Sequence, residues 1–248
     1  MKLPPTMSQP DYGLDAPKLV RRFAARGILL MAFAAILYFV NRGSSPGIGP
    51  LAVAVSFIGA AFVVVSIVMI VSSRVVKIKV CARILDSVPW RGDENVLDVG
   101  CGRGLFLIGA AKRLKTGKAT GVDTWQSEDL SGNSAEATLA NAKAEGVAGR
   151  VKVETADARQ LPFAAASFDV TLSSLAIHNI PTRADRAKAL AEIARVLKPG
   201  GYLAIFDIFH TSEYAKALEA SGFIDIRLSP LTFLWCVPTR TLTARKGS

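Results

Sequence analysis

Histidine and cysteine are scarce in this chain of 248 residues. There are two histidines, His178 and His210, and three cysteines, Cys81, Cys101 and Cys236. The cysteines share no paired spacing, which excludes a disulfide framework and a zinc motif. No metal site is expected, and unpaired thiols fit a reducing, cytoplasmic compartment. Acids are scarce in one region only. Residues 1–92 hold 11 lysines and arginines against 3 aspartates, whereas residues 93–248 hold 19 basic against 17 acidic residues. The net charge of +10 therefore sits almost wholly in the N-terminal third. It brackets hydrophobic segments there, so it reads as membrane topology and not as a nucleic-acid footprint. Charge itself is missing from residues 43–73.

Within that uncharged stretch, residues 51–71 are long enough to cross a bilayer, for which about 20 apolar residues suffice. A surface helix of a soluble protein would show a polar face, and this one has none. Arg74, Lys77, Lys79 and Arg83 close it. An earlier uncharged run, residues 27–40, follows Lys18, Arg21, Arg22 and Arg26. It is short for a span, and Phe23, Ala24 and Ala25 lengthen it if Arg26 snorkels to the interface. A signal peptide is disfavoured, because the basic start lies well inside the chain and no small-x-small cleavage site follows Val40. Residues 41–47 read as a turn. Basic clusters on both outer flanks, with Arg42 alone between the runs, predict a transmembrane hairpin with both ends cytoplasmic. That is the pattern of a multi-pass protein of the inner (cytoplasmic) membrane. Ala52, Ser56 and Ala60 share one helix face; they admit a close neighbouring helix or simply reflect alanine content. Residues 75–88 read as an amphipathic linker helix, ended by Pro89-Trp90-Arg91-Gly92. The organisation expected is a cytoplasmic segment over 1–22, a hairpin over 23–73, a linker over 74–92 and a catalytic domain over 93–248.

The domain is organised around Val96-Leu97-Asp98-Val99-Gly100-Cys101-Gly102-Arg103-Gly104. A short apolar run holds an acid, three glycines alternate, and an apolar pattern then runs from Leu105 to about Lys115. This spacing predicts a buried strand, a tight turn and a helix. Glycine permits the positive φ of such a turn and leaves no side chain between backbone and ligand. A dinucleotide fingerprint, G-x-G-x-x-G, has its third glycine where this chain has Leu105. Asp98, two before the first glycine, suits an amino-acid moiety better than a diphosphate. Cys101 reads as small filler. A second strand, 119–123, ends in Asp123, close to where a doubly wound fold places its ribose-binding acid. Trp125 then packs on an adenine or on the domain edge. A helix over 133–145 precedes a strand over 150–155, followed by Ala156-Asp157-Ala158. A strand over 168–173 leads to a helix capped by Thr182 with Asp185 three residues on. Its apolar face is Leu190, Ile193, Ala194 and Leu197, and Pro199-Gly200-Gly201 stops it. Then come a strand over 202–208, a helix over 212–220, and strands over 223–228 and 232–243.

Residues 96–104, 121–123, 156–157, 168–173 and 197–201, in this order, resemble the class I S-adenosylmethionine (SAM)-dependent methyltransferases of type 11. The resemblance covers residues 93–248. It implies an α/β fold with a Rossmann-like doubly wound seven-stranded sheet, here preceded by two transmembrane helices, and SAM as cofactor. It implies Asp98, Gly100, Gly102, Gly104, Asp123, Trp125, Asp157, Ala158 and Ser173 at the cofactor, with Asp123 on the ribose hydroxyls and Asp157 on the adenine amino group. The acceptor site lies beyond the carboxyl ends of the strands, where Ser173, Ser174, His178 and Asn179 follow the fourth. His178 is the candidate base near neutral pH, or it orders its loop; His210 ranks behind it. There is no Asp/Asn-Pro-Pro-Tyr motif after strand four, so amino-group methylation of nucleic acid or glutamine is not expected. No cysteine cluster points to arsenic chemistry. The implied protein is a membrane-anchored methyltransferase for a small-molecule or lipid-like acceptor, without a nucleic-acid partner. A non-catalytic SAM-binding membrane module is the alternative. The sequence implies no particular oligomeric state.

Overall fold

A computed structural model describes residues 9–41, 48–126, 130–234 and 237–248. Most of the expected turn, residues 42–47, and Cys236 lie outside them. Helix α1 spans Pro17–Val40 and α2 spans Ile48–Val71. Proline suits the first helical turn, where an N–H has no partner to lose. The helix therefore begins before Lys18, Arg21, Arg22 and Arg26, which ride on its opening turns. Both helices are long and apolar enough to cross a membrane. Their outer faces expose large apolar side chains, among them Leu29, Phe39 and Phe57.

The seam between the two helices has a spacing of seven. Val20, Gly27 and Ala34 are buried on α1, and Ala52, Gly59 and Ser66 on α2. The helices run antiparallel: Ser66 Oγ donates to the Val20 carbonyl, and Gly27 meets Gly59. A Cβ on Gly27 would lie 2.7 Å from the Gly59 carbonyl oxygen. The expected stripe of Ala52, Ser56 and Ala60 is thus corrected. Ser56 and Ala60 are only partly buried, and the Ser56 hydroxyl turns back to Val53 O. A repeat of seven stays on a two-helix seam, whereas a repeat of four drifts around the helix.

A π-helical turn over Ser72–Val76 carries α2 directly into α3, Lys77–Asp86. The linker helix is therefore a continuation of the membrane-type helix. It descends beside α4, Leu105–Arg113. Leu85 packs where Gly109 has no side chain, and Arg113 in the last turn of α4 pairs with Asp86.

The strands are β1 Asn95–Val99, β2 Lys118–Asp123, β3 Val151–Thr155, β4 Phe168–Ser174, β5 Leu197–Asp207, β6 Phe223–Leu228, β7 Thr232–Leu234 and β8 Val237–Lys246. The sheet order is β3-β2-β1-β4-β5-β8-β6, with β7 beside β8. The first five strands are parallel, and β8 is antiparallel to β5 and β6. Helices α3, α4 and α5 (Ala135–Ala144) cover one face through Leu85, Phe106, Leu107 and Ala142. Helices α6 (Arg183–Val196) and α7 (Thr211–Ala220) cover the other through Leu190, Ile193, Tyr214 and Leu218. This is the expected doubly wound α/β fold. Two details differ. Leu197 opens β5 opposite Phe168 instead of closing α6. The single strand expected over 232–243 is divided into β7 and β8, with Leu234 opposite Val237, so the sheet has eight strands among the described residues. Leu234 is buried in the core and the Thr232 and Thr239 hydroxyls bond at 2.8 Å, which fixes that pairing.

The chain order reverses between β1 and β4, and a doubly wound sheet opens its crevice there, at the carboxyl ends of the strands. Gly59→Val should destabilise the full chain by about 1–3 kcal/mol, the usual cost of overpacking a tight contact. Thermal melting in detergent reads this directly. Gly49→Val should be neutral, because a Cβ there meets nothing within 4 Å.

Candidate active site

At the end of β1 the backbone takes positive φ at Gly100 (73°), Gly102 (53°) and Gly104 (87°). A Cβ on Gly100 would also fall 2.2 Å from that of Ala176. The loop is held by hydrogen bonds from both sides. Gly100 N–H and Cys101 N–H donate to Val122 O at 2.8 and 3.0 Å. Gly102 N–H donates to Asp123 Oδ2 at 2.8 Å, and Thr138 Oγ1 donates to Gly102 O at 2.6 Å. Asp123 Oδ1 accepts from Trp125 N–H and from Asn133 Nδ2. One carboxylate thus fastens the loop after β1 to the end of β2.

Beside this loop lies a cavity of about 230 Å³. Asp98, Gly100, Gly102, Asp123, Asp157 and Ala158 line it. Asp98 is buried, and neither carboxylate oxygen has a partner among the described residues. Burial pushes its pKa up to about 8, and the nearby charge of Asp123 adds to the rise. A carboxylate without a partner is costly inside a protein. A cationic group brought into the cavity would relieve that cost, and an ammonium fits. Asp157 is gripped by Arg159, whose Nε lies 2.9 and 3.0 Å from its two oxygens. That pairing holds the Asp157 carboxyl below the usual range. Cys101 also lines the cavity, packed against Gly121, and burial raises its thiol pKa well above normal, as suits a filler residue.

Four expected residues lie off the cavity wall. The Trp125 indole donates to Thr155 Oγ1 at 2.8 Å, so the ring packs at the domain edge. Ser173 is buried between strands, its Oγ donating to Val99 O at 2.9 Å. Alternation along β4 gives the wall to Ser174 instead. Gly104 faces Thr138 and Ile108 and opens α4. His178 sits between two wall residues, Ile177 and Asn179. Its Nδ1 meets Asp207 Oδ1 at 2.5 Å, and its backbone N–H donates to Asp207 Oδ2 at 3.1 Å. Asp207 is fully buried and also accepts from Ile208 N–H and the Tyr214 hydroxyl. His210 is instead half-exposed beside Glu213.

Sequence reasoning missed Asp207, although a signal was present: like Asp123, it is an acid that ends an apolar strand. It also missed Tyr12, Asp15 and Lys77, which line the cavity from outside the domain. The N-terminal segment crosses the site. Asp11 N–H donates to Asn141 Oδ1, Leu14 N–H donates to Ser131 Oγ, and Ser131 N–H donates to Leu14 O.

Residues 97–205 match the family described as a methyltransferase domain. Over those residues the chain resembles a methyltransferase domain. A sterol 4-C-methyltransferase of Caenorhabditis elegans is 35% identical over 125 residues, 50% of this chain and 34% of that protein. A 27-O-demethylrifamycin SV methyltransferase of Amycolatopsis mediterranei is 35% identical over 128 residues, 50% of this chain and 42% of that protein. The chain spans about a third to a half of the length of these curated relatives. In fold it is similar to the YcgJ protein of Bacillus subtilis, with a TM-score of 0.58 at 17% identity over 68% of this chain and 98% of that one. A phosphoethanolamine N-methyltransferase of Haemonchus contortus, solved with SAM, gives 0.56 at 19% identity over 68% of this chain and 53% of that one. The buried Asp98 carboxylate, without a hydrogen-bond partner among the described residues, leaves the cavity ready for a cationic group.

The buried Asp98 makes the ligand-free protein pH-sensitive. Its folded pKa is raised, so the folded chain keeps a proton that the unfolded chain releases above about pH 4. The stability this confers is present at low pH and is lost as pH rises toward 8, by up to about 1.4 kcal/mol per pH unit. Thermal melts of the ligand-free chain at pH 5 and pH 8 should show this fall, and Asp98→Asn should flatten it.

Proposed function

We propose that the protein is a membrane-anchored SAM-dependent methyltransferase acting on a small, lipid-like acceptor at the cytoplasmic face of the membrane. The course of α2 and α3 carries this reading. Helix α3 descends from Lys77 on the cavity wall to Asp86 at the last turn of α4. Helix α2 continues α3 in the opposite direction, so the apolar hairpin rises from the sheet edge that bears the cavity. A bilayer around α1 and α2 would lie against that edge. An acceptor with an apolar body would then reach the cavity from the lipid. A relative named for a sterol supports an apolar acceptor. The basic residues on the opening turns of α1 and after α2 support a cytoplasmic domain, residues 93–248.

The residue roles follow from position. Asp98 takes the ammonium of the cofactor, the glycine loop admits it by close backbone approach, Asp123 takes the ribose hydroxyls, and Asp157 with Ala158 takes the adenine. SAM supplies a methyl group already activated on a sulfonium. The protein's work is therefore positioning and exclusion of water. His178 provides the base. Asp207 holds the imidazole proton on Nδ1 and leaves Nε2 as the accepting nitrogen; the ring stands beside the wall residues Ile177 and Asn179, so the reactive atom of the acceptor must reach past them. Trp125, Ser173 and Gly104 support the site from behind.

Mass spectrometry of membrane extracts incubated with the enzyme and methyl-labelled SAM should reveal a labelled lipid-like product. SAM binding with no labelled product would favour the non-catalytic module. His178→Ala should lower turnover about 10²- to 10⁴-fold, the usual weight of a general base, while SAM affinity holds. Reporter fusions at residue 10 and at the C-terminus should both report cytoplasm. An external C-terminus would overturn the reading.

A further inference from the structure

Two charged residues that line the cavity come from outside the methyltransferase domain. Lys77 opens α3 and is only 5% exposed. Its Nζ lies 2.8 Å from Asp15 Oδ1, in the segment before α1. Asp15 Oδ2 is buried and has no hydrogen-bond partner among the described residues. Both residues share the cavity wall with Asp98. A buried ion pair usually costs more in lost hydration than it returns, unless its remaining groups are satisfied. Here an oxygen is left unsatisfied, and it belongs to a cavity that awaits a ligand.

Charge matching says which part of the ligand they take. SAM carries an ammonium, a sulfonium and one carboxylate. Three cations line the cavity: Lys77, Arg103 and Arg159. Arg159 is committed to Asp157 through both oxygens. Arg103 gives Nη2 to Asp11 at 3.1 Å and Nη1 to the Ser131 carbonyl, and only its single buried Nε–H has no partner among the described residues. Lys77 has three donors, and one bonds to Asp15. Position agrees. One turn beyond Lys77, Cys81 Sγ lies 3.9 Å from Ser174 Oγ at the end of β4. Asp123 and Asp157 follow β2 and β3, on the other side of β1. An elongated ligand laid across β3-β2-β1-β4 with its nucleoside at Asp123 would bring its amino-acid end to Asp98 and Lys77.

We propose that Lys77 binds the carboxylate of the methionine moiety of SAM and that Asp15 orients Lys77 and shares the ammonium with Asp98. The cofactor pocket is then completed by the segments that lead into and out of the helical hairpin. This rests on SAM being the cofactor. Two probes separate the amino-acid end from the rest. S-adenosylhomocysteine has the amino and carboxyl groups, and 5′-methylthioadenosine lacks both, while each carries a neutral sulfur. Calorimetry would use the full chain in lipid nanodiscs. The variant Lys77→Met/Asp15→Asn removes both charges together, so neither residue of the pair is left as an unpaired buried ion. Affinity for S-adenosylhomocysteine should fall about 10- to 100-fold, the scale of lost charged hydrogen bonds, and affinity for 5′-methylthioadenosine should stay as in the wild type. Lys77→Arg should recover most of the loss. Should the double variant melt below the assay temperature, Lys77→Gln gives the same comparison. An equal loss for both ligands would make the pair a structural clasp and overturn the proposal, as would no loss for S-adenosylhomocysteine. A wild-type protein that binds neither ligand would overturn the cofactor assignment itself.

Discussion

The site depends on one turn, in which the chain leaves β1 and enters α4 with no room for a side chain at Gly100. Positive φ at three alternate positions is least strained for glycine. Such a turn is not rigid by itself, and the protein fixes it with Asp123. The carboxylate that accepts the Gly102 N–H also faces the cavity. Loop shape and the proposed ribose contact are therefore one electrostatic unit. A ligand that engages Asp123 meets a carboxylate already oriented by three N–H donors, so little ordering is left to be done on binding.

The few acids of the N-terminal third are all used as clasps. Asp11 pairs with Arg103, Asp15 with Lys77, and Asp86 with Arg113. The Asp11 and Asp86 pairs each have an exposed partner and contribute little singly, whereas the Asp15 pair is buried. Their placement matters more than their number. Asp86 fixes the foot of α3 to α4, Asp15 fixes its head to the segment before α1, and Asp11 fixes that segment to the glycine loop. The hairpin is thus tied to the domain at both ends of α3. In a region otherwise rich in cations, each acid has an unambiguous choice of partner type.

Much of the domain was legible because its signals are local. Strand, acid and glycine turn at 96–104 lie within one short window, as do Thr182 with Asp185 and the alternating pattern of each strand. The hairpin was legible from charge and hydropathy alone. What escaped notice was set by distant packing. Nothing near Leu234 and Val237 marks a chain reversal; that pairing follows from Leu234 reaching the core under α3. Ser173 and Ser174 are alike in sequence, and only the pleat of β4 decides which one meets the cavity. Asp15 and Lys77 are 62 residues apart, and a flanking charge on a hydrophobic helix reads as topology. Gly59 falls outside a stripe of four, whereas the helices interlock every seven residues.

The segment before α1 has a consequence for how the protein is made. Asp11 and Asn141 are joined by reciprocal hydrogen bonds across 130 residues. Chains emerge from the ribosome at roughly 5–20 residues per second, so Asp11 waits many seconds for its partner. During that interval the apolar hairpin is complete and the strands that form the sheet are still arriving. Residues made ahead of the hairpin, Asp11 among them, are thus among the last to find their places. Ligand binding is therefore a late event in the life of each nascent chain, and a molecule truncated during translation would hold its helices without ever acquiring a finished pocket.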